Sequence, residues 1–358
     1  MNFEYLKRYG FFPRFEQEAT LYEGLFPARV LEQHRELYKL VCENGEIQAT
    51  VSGKLAYQAA SNADFPAVGD WVMIDRMDSG SGNAVIYQVL RRKSVFERKA
   101  AGTSNASQVV AANIDIVFIC MSLNFDFNLR RLERYLSIAW DSMATPVIVL
   151  TKADLCKNLD SRLSEIATVA VGTDVVTCSS MEENGFQNIL PYVTEGKTIA
   201  FIGSSGVGKS TLINRLMGEE VLFTKEIRSD DKGRHTTTHR QLLLLPGGGI
   251  VIDTPGMREL QLESGDLTKT FEDIETLAAL CKYRDCSHTS EPGCAVKRAI
   301  EAGTLSQARF DSYKKLQKEI GYAEQNARQR EQEKINRMFG SKAQMKQIMR
   351  EIKNKNKF

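Results

Sequence analysis

The 358-residue chain is about 2.4 times the roughly 150-residue domain prior, so two or three domains are expected. With 42% hydrophobic and 26% charged residues it has an ordinary globular composition, which excludes collagen-like, low-complexity and wholly disordered classes. The net charge of +2 conceals an asymmetry: from Tyr313 to Phe358, 13 Lys and Arg face 5 Glu, so these 46 residues carry +8 and the other 312 carry −6. A basic extension of this kind suits a polyanion partner, with a solvated helix as the plainer alternative. The N-terminus MNFEYLKRYG lacks a basic stretch followed by an apolar run, and no uninterrupted apolar segment approaches about 18 residues. A cytoplasmic protein with no signal peptide and no membrane span is therefore expected. Seven cysteines, an odd count without a secretory signal, favour reduced thiols and metal ligands over a disulfide framework.

Residues 29 to 99 read as short strands with turn punctuation: ARVLEQHRELYKLVC, the hairpin signal Glu43-Asn44-Gly45, EIQATVSGKL, VGDWVMID and NAVIYQVLRR. That density of strands predicts a small closed barrel, and an OB-fold is the size-matched candidate. Such a barrel serves either as a nucleic-acid-binding face or as a spacer. With the extension before it, it is assigned residues 1–112.

From about Asn113 apolar runs alternate with longer helix-like segments. IDIVFICMSL, PVIVLTKAD, DVVTCSS, TIAFIGSSG, QLLLLPGGG and IVIDTPG are the runs, and they predict a mostly parallel sheet covered by helices over residues 113–262. Within this α/β domain, Thr151, Lys152, Ala153 and Asp154 resemble the guanine-reading pattern Asn/Thr-Lys-x-Asp at the end of a strand. The Asp154 carboxylate can accept from guanine N1–H and N2–H₂, a pair of donors that adenine lacks, while the Lys152 stem lies along the base. Thr151 replaces the commoner Asn, so its hydroxyl must make whatever contact the amide makes elsewhere. Ser179 and Ser180, after the strand DVVTC, supply small residues and a backbone N–H near guanine O6.

The most specific signal is Gly203, Ser204, Ser205, Gly206, Val207, Gly208, Lys209, Ser210 and Thr211, a GxxxxGKS match between the strand TIAFI and the helix-like LINRLMG. Its glycines let successive N–H groups and a helix N-terminus face a phosphate. Lys209 would reach the β- and γ-phosphates and Ser210 would ligate Mg²⁺. Downstream, Gly233-Arg-His-Thr-Thr-Thr-His-Arg240 is a polar loop whose threonines, Thr237 assigned among them, complete the Mg²⁺ shell. Asp253-Thr254-Pro255-Gly256 follows an apolar strand, with Asp253 toward Mg²⁺ and Gly256 offering its N–H to the γ-phosphate. The residue after this element is Met257, which cannot position a water as a glutamine would. His235 in the polar loop is the candidate catalytic group instead, with His239 as second choice.

The base-reading elements precede the phosphate loop here, whereas an ordinary GTPase has them after it. The same set in rotated order marks a circularly permuted GTPase, which is tolerable because domain termini lie near each other at the surface. Beyond it, Cys281, Cys286, His288 and Cys294 form a C-x4-C-x-H-x5-C cluster within 14 residues. Three thiolates and an imidazole make a closed tetrahedral zinc set, one Zn²⁺ per chain. This mostly α zinc-binding module is assigned residues 263–340, and the basic tail 341–358. Cys42, Cys120, Cys156 and Cys178 lie in or beside apolar strands and read as buried small hydrophobes.

A barrel-like N-terminal region, a permuted GTPase carrying GSSGVGKST, TKAD, GRHTTT and DTPG, and a Cys-Cys-His-Cys module together resemble the bacterial ribosome small-subunit-dependent GTPase A family over nearly the whole chain. The resemblance implies a monomeric assembly factor that binds GTP or GDP and the 30S subunit with its rRNA late in maturation. It also implies hydrolysis to GDP and phosphate that is stimulated by the subunit and accompanies release, and it points to the position of His235. On the residues alone, a GTP-gated RNA-binding clamp with incidental hydrolysis and a signalling GTPase with a protein target stay open. Barrel, cysteine module and basic tail favour RNA over the protein target.

Overall fold

The computed structural model describes residues 3–34, 36–59, 61–78, 80, 82–99, 107–124, 126–179, 182, 185–220, 240–253 and 267–321. Two short helices, α1 (Glu4–Lys7) and α2 (Pro13–Ala19), lead into the barrel. Pro13 at the first position of α2 is where its fixed φ helps and its missing N–H costs nothing.

The barrel strands are β1 (Phe26–His34), β2 (Leu37–Cys42), β3 (Gly45–Val51), β4 (Trp71–Ile74) and β5 (Ala84–Val89). β1 pairs antiparallel with β2, β2 with β3, and β4 with both β5 and β1, while β3 and β5 run parallel. The order 1-2-3-5-4-1 closes on itself, the expected OB-like barrel. Alternate residues of each strand point inward, so Val30, Leu40, Ile47, Ala49, Val72, Ile74, Ala84 and Ile86 fill its interior. Helix α3 (Gly53–Gln58), capped by Ser52 Oγ accepting from Leu55 N–H at 3.1 Å, adds Leu55 to that core. The last strand of the 29–99 stretch lies outside the barrel: β6 (Val95–Lys99) pairs antiparallel with β7 (Ser107–Ala112) in a separate ribbon.

All six apolar runs after Asn113 are strands. They are β8 (Ile116–Ser122), β9 (Thr145–Thr151), β10 (Asp174–Thr177), β11 (Thr198–Ile202), β12 (Gln241–Leu244) and β13 (Ile250–Asp253), in spatial order β10-β9-β8-β11-β13-β12. Only β12 is antiparallel to its neighbour, because a short Pro-Gly-Gly-Gly turn joins it to β13. Helices α4 (Leu129–Asp141) and α5 (Leu159–Ala167) connect parallel strands, and α6 (Lys209–Met217) follows β11. Reading β11 to β13 and then β8 to β10 puts the phosphate loop before TKAD, the motif order expected of an unpermuted chain.

Barrel and sheet share a junction. Gln241 of β12 lies opposite Glu32 of β1 and donates its side-chain amide to the Glu32 carboxylate at 3.2 Å. Arg29, 1% exposed, donates to Gly69 O in the barrel at 3.2 Å, to Thr198 Oγ1 of β11 at 2.8 Å, and to Tyr9 O beyond α1. Burial among these neutral acceptors pushes the guanidinium down to about 10, against the pull of Asp115 and Asp70. Trp71, with Phe11 at 4.7 Å and Phe15 at 5.8 Å between ring centroids, packs the same corner. Among the described residues, no helix is long and apolar enough to cross a membrane.

Helices α7 (Glu272–Ala279), α8 (Ala295–Glu301) and α9 (307–321) follow the sheet. They dock on α4 through Glu133, which is fully buried and accepts from Arg309 Nη1 at 3.0 Å, Ser312 Oγ at 2.5 Å and Arg130 Nη1 at 2.6 Å. Arg309 also forks onto both carboxylate oxygens of Asp273, each at 2.7 Å. A charge buried on α4 is thus matched by guanidinium and hydroxyl donors from the C-terminal module, which makes the docking angle specific as well as favourable.

Candidate nucleotide site and metal centre

The parallel strands end together. β8 and β11 pair through Ile119 and Ile202, β8 and β9 through Ser122 and Thr151, and β11 and β13 through Ala200 and Ile252. The carboxyl ends of β9, β11 and β13 therefore deliver TKAD, the phosphate loop and Asp253 to one crevice, where open α/β sheets bind ligands.

The phosphate loop leaves β11 at Gly203 and enters α6 at Lys209. A Cβ on Gly203 would lie 2.3 Å from Cys120 O of β8, and the residue has φ +143°, so only glycine fits there. Gly208, at φ +100°, turns the chain into α6, which has no side-chain cap. The leading N–H groups of α6 are thereby left for an anion. Lys209 Nζ donates to Gly203 O at 2.7 Å and Ser204 O at 2.6 Å, folding its ammonium over the loop. Ser205 and Gly206 are exposed, Val207 is buried, and Ser210 and Thr211 occupy the first turn of α6 half-buried.

The base-reading segments meet this loop directly. Buried Thr151 donates its hydroxyl to Val207 O at 2.6 Å, so the residue standing where Asn is commoner ties β9 to the phosphate loop. Lys152 adopts φ +58°, and the chain then turns through Ala153 and Asp154 in a single 3-10 turn. Ser179 Oγ donates to Asp154 Oδ1 at 2.7 Å, and Ala153 N–H donates to Cys178 O at 3.2 Å. TKAD and the small-residue loop, 25 positions apart, are one unit. Ser180, His235, Thr237, His239, Gly256 and Met257 lie outside the described residues.

Two contacts escaped the sequence reading. Arg131 on the first turn of α4 donates through Nη1 to Ser204 Oγ and to Asp126 Oδ1, the latter at 2.7 Å. The only sequence signal was a charged stretch, NFDFNLRR, at the end of the strand that flanks the phosphate-loop strand. Glu133, one turn from the start of α4, was likewise indistinguishable from a surface helix residue.

Cys281, Cys286, His288 and Cys294 converge, their ligand atoms all within 4.8 Å of one another. Cys281 Sγ is 3.9 Å from Cys294 Sγ and 3.6 Å from His288 Nδ1, and Cys294 Sγ is 3.4 Å from His288 Nδ1. Zinc–sulfur bonds of about 2.3 Å at tetrahedral angles would set sulfurs roughly 3.8 Å apart, so the cluster fits the ion. Ala295 N–H donates to Cys281 Sγ at 3.3 Å, which favours the Cys281 thiolate, and Lys297 N–H donates to Cys294 Sγ at 3.4 Å where Cys294 caps α8. Burial, then Lys314, holds His288 below its usual range, leaving the neutral imidazole a metal requires. Burial pushes the Cys286 thiol up to about 11, a shift that a bound cation would oppose. The intervening loop is pinned by Glu291, which accepts from the N–H groups of Ser287, Thr289 and Ser290 at 2.9–3.0 Å. Of the other four cysteines, Cys42, Cys120 and Cys178 are buried as expected, whereas Cys156 is half-buried, because it follows TKAD at the mouth of the crevice rather than within a strand.

Comparison with known proteins gives a consistent result. The model of the RsgA GTPase family matches residues 89–263. The "Small ribosomal subunit biogenesis GTPase RsgA 2" of Lactiplantibacillus plantarum is 54% identical over 344 residues, 96% of this chain and 97% of the relative. The "Small ribosomal subunit biogenesis GTPase RsgA" of Opitutus terrae is 46% identical over 312 residues, 84% of this chain and 85% of the relative. Among solved structures, YjeQ from Thermotoga maritima superposes with a TM-score of 0.61 at 28% identity, covering 83% of this chain and 98% of that one. YloQ, described as a circularly permuted GTPase, gives 0.60 at 26% identity over 84% and 96%.

Proposed function

The chain belongs to the RsgA GTPase family and is a GTP hydrolase, and from that premise we propose that it acts on the small ribosomal subunit late in its maturation. GTP binds at the crevice, the 30S subunit with its rRNA stimulates hydrolysis to GDP and phosphate, and hydrolysis accompanies release. The observation that carries the nucleotide assignment is the join of base reader to phosphate loop, Thr151 to Val207, beside the Ser179–Asp154 bond.

In this reading Asp154, oriented by Ser179, accepts from the guanine edge. Lys152 covers the base, Ala153 and Ser180 complete its surroundings, and Gly203 to Thr211 hold the phosphates. Ser210, Thr237 and Asp253 would hold Mg²⁺, which supplies charge neutralisation at the β- and γ-phosphates when bound. Gly256 donates its N–H to the γ-phosphate, and His235 orients the attacking water. Met257 cannot position the water as a glutamine would, so slow intrinsic turnover and strong stimulation by the subunit are expected.

Residues 1–112 are the extension, the barrel and the β6–β7 ribbon, 113–262 the permuted GTPase, 263–340 the module holding one Zn²⁺, and 341–358 the basic tail. Barrel and tail supply the rRNA contacts of a cytoplasmic monomer. Phosphate release measured with and without 30S subunits tests the proposal. A rise of about a hundredfold or more supports it, whereas an equal rate with and without subunits leaves a clamp whose hydrolysis is incidental.

A further inference from the structure

We propose that Arg131 is a positioning residue of the phosphate loop, held by Asp126 and bracing Ser204 for nucleotide binding. The inference rests on the nucleotide reading above and adds to it a residue that belongs to none of the nucleotide motifs. Arg131 and Ser204 are 73 positions apart, and their contact crosses from α4 to the loop after β11. Arg131 projects from a fixed platform: Asn128 Oδ1 caps α4 by accepting from Arg131 N–H itself at 3.0 Å, and Leu132, Leu136 and Ala139 bury the helix on the sheet. The guanidinium also pairs with Asp126 Oδ1 at 2.7 Å, which fixes its direction. Asp126 Oδ2 is buried without a hydrogen-bond partner among the described residues, so that carboxylate is retained at a cost that its Arg131 pair offsets.

The loop is held at three points. Gly203 packs on Cys120, Ser204 is bound by Arg131, and Val207 is bound by Thr151. Between the last two, Ser205 and Gly206 stay exposed, as a segment offering its N–H groups to phosphate must. The Ser204 carbonyl already accepts Lys209 Nζ at 2.6 Å, so Arg131 and Lys209 grip one residue through its side chain and its backbone. Because Asp126 offsets the charge of Arg131, the contribution is geometric and falls on GDP and GTP alike.

Dissociation of fluorescent mant-GDP and mant-GTP from the full chain, followed by stopped flow, tests this. Arg131→Met and Ser204→Ala should each speed release of both nucleotides about tenfold, the worth of one charge-assisted hydrogen bond. The double variant should be no faster than either single one, since both remove the same contact. Arg131→Lys should recover part of the loss, because an ammonium can reach the hydroxyl without the fork. Thermal unfolding without nucleotide should stay near that of the wild type in Ser204→Ala, whereas Arg131→Met, which leaves Asp126 without its cation, should unfold at a lower temperature. Unchanged rates for both nucleotides, additive effects, or an effect on mant-GTP alone would each overturn the brace, the last by making Arg131 a γ-phosphate contact. Wild-type protein that bound neither nucleotide would overturn the nucleotide reading itself.

Discussion

The phosphate loop and the Cys3His cluster are both short segments rich in special residues, yet they are held in shape by different means. The loop hangs between β11 and α6, its glycine fixed against Cys120, its serine by Arg131 and its valine by Thr151, so a buried sheet imposes its form. Around the cluster, Cys281, Cys286 and His288 are only partly buried and Lys282, Tyr283 and Arg284 are exposed. Little apolar surface organises that turn, and its four ligands lean on one another. Hence the nucleotide site should exist before its ligand arrives, whereas the metal centre should depend on its ion for its fold.

The largest expected effect tests that contrast. Protein purified without chelators should carry one zinc by elemental analysis, and Cys286→Ser should lose it. Structural zinc contributes about 10–16 kcal/mol to small modules, so the turn from Cys281 to Cys294 should lose its amide protection in hydrogen exchange. Binding of mant-GDP should survive. A variant that keeps its protection, or that loses nucleotide binding with the metal, would collapse the distinction.

Glu133→Gln comes next, because it strikes the link between the two regions. The substitution leaves Arg309 and Arg130 facing a neutral amide in a site with no exposure, and breaking a buried pair typically costs about 3–5 kcal/mol. Asp273 retains its own bond to Arg309 at a half-open site, so the lower end of that range is expected. Thermal unfolding should move accordingly while zinc content stays unchanged. An unaltered transition would mean that the C-terminal module docks by its apolar face alone.

Legibility in the sequence followed the same divide. All six apolar runs are strands and the barrel closes as expected, because alternation and uninterrupted apolar runs are local signals of burial. TKAD, GSSGVGKST and the cysteine cluster were legible because each needs specific residue types at fixed spacing. Arg131, Glu133 and Arg29 were not, since nothing near Arg29 in sequence distinguishes a guanidinium that will be buried between Tyr9, Gly69 and Thr198 from one that faces solvent. Their partners come from other elements, and a contact that exists only after the sheet forms leaves no periodic trace. The β6–β7 ribbon was read with the barrel for the converse reason: its alternation is the same as that of a barrel strand, and only pairing separates them.

The smallest expected effects probe how finely the preformed site is set. Asp154→Asn removes a charged acceptor from the two guanine donors, each such bond being worth about 1.5–3 kcal/mol, so GTP affinity should fall roughly a hundredfold. The asparagine amide can instead donate to the 2-oxygen of xanthine, and competition binding should therefore show xanthosine triphosphate gaining where GTP loses. Ser179→Ala should do less. It removes the hydroxyl that donates to Asp154 Oδ1 at 2.7 Å but leaves the carboxylate itself, so about a three- to tenfold loss is expected with no gain for xanthosine triphosphate. This difference separates reading from orienting, since a residue that reads the base changes which base is preferred and one that orients the reader changes only how well. Equal loss in both variants would make Ser179 a direct contact to the base, and an unchanged preference for GTP over ATP in Asp154→Asn would remove TKAD from the base-reading role altogether.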